Sequence, residues 1–242
     1  MGRRRGIRLN IYRKAATMKS RLTQLVIVGA GGFGREVLNL VRDINRTSGS
    51  FDFLGFLDDG EIDAALLRRL GASLLGPTSR LADLESSYVI GIGTPEPRRR
   101  IDALARSWGR TAATLRHPSA TIGKDVRISD GAVIAAGARL TTNIGVGRHA
   151  HVNLNCTIGH DAIVGDFATL YAGVHLGGGV VVEEGAALGT GCVILPNVRV
   201  GRGAVVGAGA VVVRAVAPDT TVVGTVARPT LRSRSAQDLD GA

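Results

Sequence analysis

Aromatic residues are scarce in this chain of 242 residues, with one Trp, three Tyr and five Phe, too few for the stacking platform that binding of single-stranded nucleic acid requires. Cysteine is nearly absent. The two present, Cys156 and Cys192, are 36 residues apart. In a coil that takes 18 residues per turn, as read below, two turns separate them by ~10 Å, too far for a disulfide. They read as small buried hydrophobes. No apolar run is long enough to cross a bilayer, and the opening residues lack the hydrophobic stretch of a secretory signal. The expectation is a cytoplasmic protein with no membrane partner. Acid is missing from the start: Arg3, Arg4, Arg5, Arg8, Arg13, Lys14, Lys19 and Arg21 precede any Asp or Glu. They supply most of the net charge of +10, and the remaining body is near neutral, so no nucleic-acid partner is expected. The Arg-rich start resembles an organellar transit peptide and equally suits initiation at Met18; residues 1–24 are read as a disordered arm.

What the chain has in abundance is a period of six. Every sixth residue from Ile122 to Val212 is Ile, Leu or Val, and two residues before each lies a second, mostly small apolar row that includes Ala132, Ala138, Ala150, Cys156, Ala168 and Cys192. Six fits neither a helix near 3.6 nor a strand at two. It fits a triangular coil of about five turns in which each side is a short strand, the aliphatic row fills the interior and the small row occupies the corners. The stretch from Val222 onward leaves the register, and the part after Pro229 is expected to fray.

Ahead of the coil, Leu25-Val26-Ile27-Val28 runs into Gly29-Ala30-Gly31-Gly32-Phe33-Gly34 and a helical pattern at Val37, Leu38, Leu40, Val41 and Ile44. Further strands are read at Phe53 to Leu57, ending in Asp58-Asp59-Gly60, and at Tyr88 to Ile92, leading into Gly93-Thr94-Pro95. A helix with Ile101, Leu104 and Ala105 precedes the short run Thr111 to Leu115. Strands alternating with helices predict a small parallel sheet, a Rossmann-like α/β domain over 25–116, then a parallel β-helix over 117–229 and a tail over 230–242.

Gly29-x-Gly31-x-x-Gly34 between strand and helix spells a dinucleotide fingerprint, and N–H groups at a helix N-terminus suit a phosphate. So few residues before the coil leave half of a doubly wound domain, so a mononucleotide or sugar nucleotide fits better than a nicotinamide cofactor. A glycine turn that only packs strand on helix is the plain alternative. Asp58 and Asp59 either accept hydrogen bonds from a base or ribose or cap a loop. Within the coil, His160 falls on an outward corner with Asp161 directly after it, a pair in which the carboxylate can fix the tautomer of a general base. His149, His151 and His175 are also read as outward or near corners, without a role. No two of these histidines differ by 18, so no zinc site of stacked ligands is expected.

These pieces, together with His117-Pro118-Ser119-Ala120, the run from Asn153 to Asp161, Gly165-Asp166-Phe167 and Val222-Val223-Gly224, resemble the bacterial acyltransferases with a nucleotide-sugar-binding N-terminal domain. That group includes sialic-acid O-acetyltransferase-like proteins and N-acetyltransferases of UDP-4-amino-4,6-dideoxy sugars. The resemblance implies a left-handed coil, a homotrimer with sites between subunits, acetyl-CoA as co-substrate in the groove between neighbouring coils, and no metal. By position it implies His160 as base, Asp161 as its orienting partner, Gly178 as an oxyanion-stabilising amide, backbone at Gly191 and Ala208 along the pantetheine path, and Asn153 near the acceptor amine. Gly29, Gly31, Gly32, Asp58, Asp59, Gly93 and Thr94 match the nucleotide-sugar pocket. Thr169 and Phe33 stand where many relatives have histidine, and Thr225-Val226-Ala227 replaces a closing Asn-Pro-Ala.

The reading is therefore acetylation of the amino group of a nucleotide-linked sugar, with O-acetylation of a hydroxyl as runner-up because one base serves either nucleophile. A trimeric binding protein without catalysis and a nicotinamide-dependent oxidoreductase are the alternatives from other classes.

Overall fold

The computed structural model describes residues 22–225 and the backbone of 228–229. Residues 1–21 of the basic arm, Met18 among them, Val226 and Ala227, and the tail over 230–242 lie outside the described residues, while Thr23 and Gln24 open β1. The chain begins with β1 (Thr23–Val28), α1 (Gly32–Ser48), β2 (Phe51–Leu57), α2 (Ala64–Arg69), β3 (Leu74–Gly76), β4 (Ser87–Ile90) and α3 (Pro95–Ser107). The four strands form one parallel sheet in the order β3-β2-β1-β4. Because β1 and β4 are covered on both faces, they are apolar throughout their buried length: Leu25 and Ile27 pack with Val37, Leu38 and Val41 of α1, while Val26, Val28, Tyr88 and Ile90 pack with Ala105 of α3. Two elements carried no clear sequence signal, α2 and β3. Each is too short for its periodicity to stand out.

The coil runs from β5 (Leu115–Arg116) through sixteen strands, β6 (Thr121–Ile122) to β21 (Val211–Val212), to β22 (Thr221–Val223). Each member of the aliphatic row ends one of the sixteen strands, and the strands sort into three parallel sheets that wall a prism. Thr157 pairs with His175 and His151 with Thr169, a rise of one turn per 18 residues. Backbone bonds such as Thr157 N–H to Val174 C=O at 2.9 Å join successive turns. From Ala132 onward the small row is buried beside the aliphatic row, and Ala120 and Val126 in the first turn are partly buried. The bend itself falls one residue earlier, on a left-handed residue at every sixth position, among them Asn143, Asn155, Asp161, Gly173, Gly179 and Gly191. Glycine, Asn and Asp tolerate that conformation, which is why these types recur there.

Val222 does not leave the wall as its break in register suggested. It pairs with Val206 and is buried, because the last turn is two residues shorter and brings it back into the stack.

The histidines do not all face outward as their spacing suggested. His160 and His175 face outward, but His149 and His151 are buried at 0% and 1% exposure. The α/β unit covers that edge and face of the prism, something a repeat period cannot report. His149 and Phe167 occupy left-handed positions (φ 50° and 57°) that disfavour bulky residues. They stack on each other at 5.8 Å, and Tyr88 stacks on His149 from the other domain.

Asp102 of α3 ties the seam. It accepts from Tyr88 Oη at 2.5 Å, from His149 Nε2 at 2.9 Å, and from Arg148 through Nε at 2.8 Å and Nη2 at 2.6 Å. Burial alone would raise its pKa, but these donors hold the carboxyl well below the usual range. The unit and the coil are thereby held in one arrangement.

Candidate active site

His160 and Asp161 form the two-residue bend between a strand of the six-stranded wall, Thr157–Ile158, and one of the five-stranded wall, Ile163–Val164. Both side chains project into solvent, at 68% and 56% exposure. His160 Nδ1 lies 2.6 Å from Asp161 Oδ2. Since an ionised carboxylate only accepts, Nδ1 is the donor of this contact, and in a neutral imidazole that makes Nε2 the acceptor nitrogen. One turn below, Asn143 Nδ2 donates to Asp161 Oδ1 at 2.6 Å. His160 and Asn143 together lower the pKa of Asp161, so the carboxylate remains an acceptor at neutral pH. Asn143 went unnoticed in the sequence, although its place 18 residues before Asp161 is the signal that finds it.

One turn above lies Gly178. A Cβ there would come within 2.6 Å of His160 Nε2, so the imidazole lies directly over a glycine that leaves room for it. The Gly178 N–H has no backbone acceptor among the described residues. His160 Nε2 and the Gly178 amide therefore share one small patch, the arrangement needed to take a proton and to stabilise an oxyanion nearby. Gly191 and Ala208 are exposed on a different corner, between the eight- and six-stranded walls, and the single chain does not bring them to His160.

The remaining candidates gather on a third part of the molecule. A cleft of about 430 Å³ between the glycine loop and the eight-stranded wall is lined by Gly29, Gly31, Gly32, Asp58, Gly93, Thr94 and Asn153, with Tyr171, Thr169, His151 and Phe33 completing it. A neighbouring cleft of about 540 Å³ shares Gly29 and Asp58 and adds Asp59, Thr78, Arg100 and Trp108. Two glycines are explained by packing alone: Gly29 has φ 101° with Gly91 O close behind, and a Cβ at Gly34 would sit 1.9 Å from Gly29 O. Gly31 and Gly32 are not, since a Cβ at either meets nothing within 4 Å. They open the cleft to the N-terminus of α1, which has no side-chain cap and no acid in its first turn, a site suited to an anion.

Asp58 and Asp59 act as loop caps. Asp58 accepts from Ala30 N at 2.7 Å and Gly60 N at 2.8 Å, and Asp59 from Thr78 N at 2.8 Å. Thr169 donates to Gly93 O at 2.9 Å and the Phe33 ring packs tilted on His151 at 4.7 Å, so Phe33 and Thr169 both line this cleft. Among the described residues no three His, Cys, Asp or Glu side chains converge as metal ligands, and no helix is long and apolar enough to cross a membrane.

A four-stranded parallel α/β unit is seated on a coil of six-residue repeats, with an outward His-Asp pair on one corner and a glycine-loop cleft on another face, and known proteins resemble both parts. The PglD N-terminal domain matches residues 24–103 and the bacterial transferase hexapeptide (six repeats) matches residues 179–214. The chain is homologous to GDP-perosamine N-acetyltransferase of Escherichia coli O157:H7, with 31% identity over 133 residues. That stretch spans 53% of this chain and 58% of that relative.

Solved structures agree over more of the length. PerB of Caulobacter crescentus, in complex with CoA and GDP-perosamine, superimposes with a TM-score of 0.78 at 28% identity, covering 87% of this chain and 98% of that one. WeeI of Acinetobacter baumannii AYE gives 0.75 at 29%, covering 86% and 100%. The acetyltransferase domain of PglB from Neisseria gonorrhoeae FA1090, in complex with acetyl coenzyme A, gives 0.64 at 28%, covering 87% and 100%.

Proposed function

We propose that this chain is an acetyl-CoA-dependent N-acetyltransferase acting on the amino group of a nucleotide-linked sugar, cytoplasmic and assembled as a homotrimer with its sites between subunits. The observation that carries the reading is the alignment of Asn143, Asp161, His160 and Gly178 on one edge, which places His160 Nε2 beside an unengaged amide. His160 Nε2 takes a proton from the sugar amine as nitrogen attacks the thioester carbonyl. The C–N bond forms, the C–S bond breaks, and the proton passes from His160 to the departing CoA sulfur. Asp161, fixed by Asn143, steadies the imidazolium while it exists, and the Gly178 N–H stabilises charge on the carbonyl oxygen.

The glycine-loop cleft holds the nucleotide, with phosphates toward the N-terminus of α1 and Asn153 toward the amine. Within one prism the cleft opens on the eight-stranded wall, whereas His160 lies on the opposite corner. This separation supports an assembly in which one subunit's cleft faces its neighbour's histidine, with Gly191 and Ala208 lining the approach of CoA. The 25–116 and 117–229 divisions are read as acceptor-binding and acyl-transferring domains. Relatives named as N-acetyltransferases favour the amine over the hydroxyl.

The test is release of free thiol from acetyl-CoA by purified protein against GDP-, UDP- and dTDP-linked amino sugars, alongside sedimentation to establish the oligomer. Turnover with one amino sugar and none with its hydroxyl counterpart is expected. A monomer that turns over, or a His160→Ala variant with undiminished kcat, refutes the mechanism.

A further inference from the structure

Arg98 is fully buried, yet it has no ion pair among the described residues. Its guanidinium donates to neutral acceptors only: to Ile92 O at 2.9 Å and Gly93 O at 2.6 Å within its own domain, and to Phe167 O at 2.5 Å, Ala168 O at 3.3 Å and Thr169 Oγ1 at 2.9 Å on the coil. Its Nε has no partner. Burial pushes its pKa down to about 9, which still leaves it charged at neutral pH. An uncompensated cation in a dry interior is costly to hold, and the seam could be tied by neutral donors alone. Three of its partners, Ile92, Gly93 and Thr169, line the glycine-loop cleft, so the charge sits one residue layer behind the cleft floor. The uncapped N-terminus of α1 faces the same space at Gly31 and Gly32. The acid lining it, Asp58, already has both oxygens engaged by backbone N–H groups.

We infer that Arg98 is the positioning residue and buried counter-charge for the diphosphate of a nucleotide-linked substrate, compensating its charge through the Gly93 layer while clamping the cleft floor onto the coil. This rests on the proposed nucleotide-sugar reading and adds to it a specific origin for phosphate affinity. A field charge at this depth acts on ligand charge and is little screened by salt. A residue that merely props the seam would affect every ligand of the cleft alike.

The experiment is calorimetric titration of the full-length protein with guanosine, GMP and GDP, and with CoA as control, in wild type, Arg98→Gln and Arg98→Lys. In wild type each added phosphate should tighten binding. Arg98→Gln should lower the GDP-over-guanosine affinity ratio by roughly tenfold or more, with guanosine and CoA affinities kept, and Arg98→Lys should retain most of the ratio. Equal weakening of guanosine and GDP in Arg98→Gln, or an unchanged ratio, overturns the assignment. If Arg98→Gln fails to fold, Arg98→Lys decides: a collapsed ratio with the charge kept overturns it, a retained ratio supports it. A wild type that binds none of the guanosine series nor uridine, UMP and UDP removes the nucleotide-sugar reading itself.

Discussion

Substituting Gly178 by Ala should separate chemistry from stability. The Gly178 backbone lies outside the left-handed region, so alanine is tolerated and stability should change by no more than about 0.5 kcal/mol. The added methyl, however, would lie 2.6 Å from both Cε1 and Nε2 of His160 and 3.1 Å from Cδ2. Ordinary contact requires the ring to retreat by roughly 1 Å, and a displacement of that size at a reacting group costs about 10²-fold in rate. His160 is exposed and can move at little cost to stability, but in moving it leaves the position set by its 2.6 Å contact with Asp161.

The control is one residue on. Gly179 has φ 68°, and a Cβ there would press on Asn197 Oδ1 at 2.4 Å, away from the imidazole. Gly179→Ala should therefore cost about 1 kcal/mol or more of stability and leave kcat near wild type. The assay is thiol release under saturating acetyl-CoA and amino sugar, paired with thermal unfolding of the same preparations. A Gly178→Ala enzyme whose kcat stays within about threefold of wild type, or one that loses activity only as it loses structure, would refute the placement of the base over this amide.

Three further outcomes follow from the same geometry. Gly32→Leu should leave the melting temperature unchanged, since its Cβ meets nothing within 4 Å, and raise KM for the nucleotide sugar roughly tenfold with KM for acetyl-CoA unaltered; equal changes in both constants would count against the cleft. Leu188→Ala, at a fully buried position in the middle of the prism, should destabilise by about 2–5 kcal/mol, read from denaturant midpoints. Burial holds His149 below its ordinary value of 6.5 and His151 well below it. The native state therefore binds fewer protons than the unfolded chain just below pH 6.5. Stability is full above that pH and should fall below it by up to ~1.4 kcal/mol per pH unit per histidine. Asp102, whose pKa is depressed, adds a further loss as pH drops below its ordinary 3.8. Melting temperatures that stay flat from pH 8 to 5 would contradict this.

The coil was legible from one row of residues. Sixteen consecutive aliphatic hits require the strand-bend rhythm because only that rhythm turns them all to one interior, and each such residue ends a strand. His160 and Gly178 were placed one above the other by the arithmetic of 18, since nearest-neighbour stacking is local and repeats without drift. The glycine loop and the two outer-covered strands were equally plain, because local composition and short-range order determine them. What escaped lies where the two domains meet. The outward reading of His149 and His151 failed because their side of the prism is closed by the α/β unit, and Arg98 was unremarkable among its arginine neighbours until its guanidinium appeared against Phe167 and Thr169. Contacts between residues about 50 to 70 apart obey no period. The repeat thus specified the prism and the imidazole on its edge, while which of its faces is covered, which charges are buried there and how the cleft is floored were decided only by docking one domain on the other.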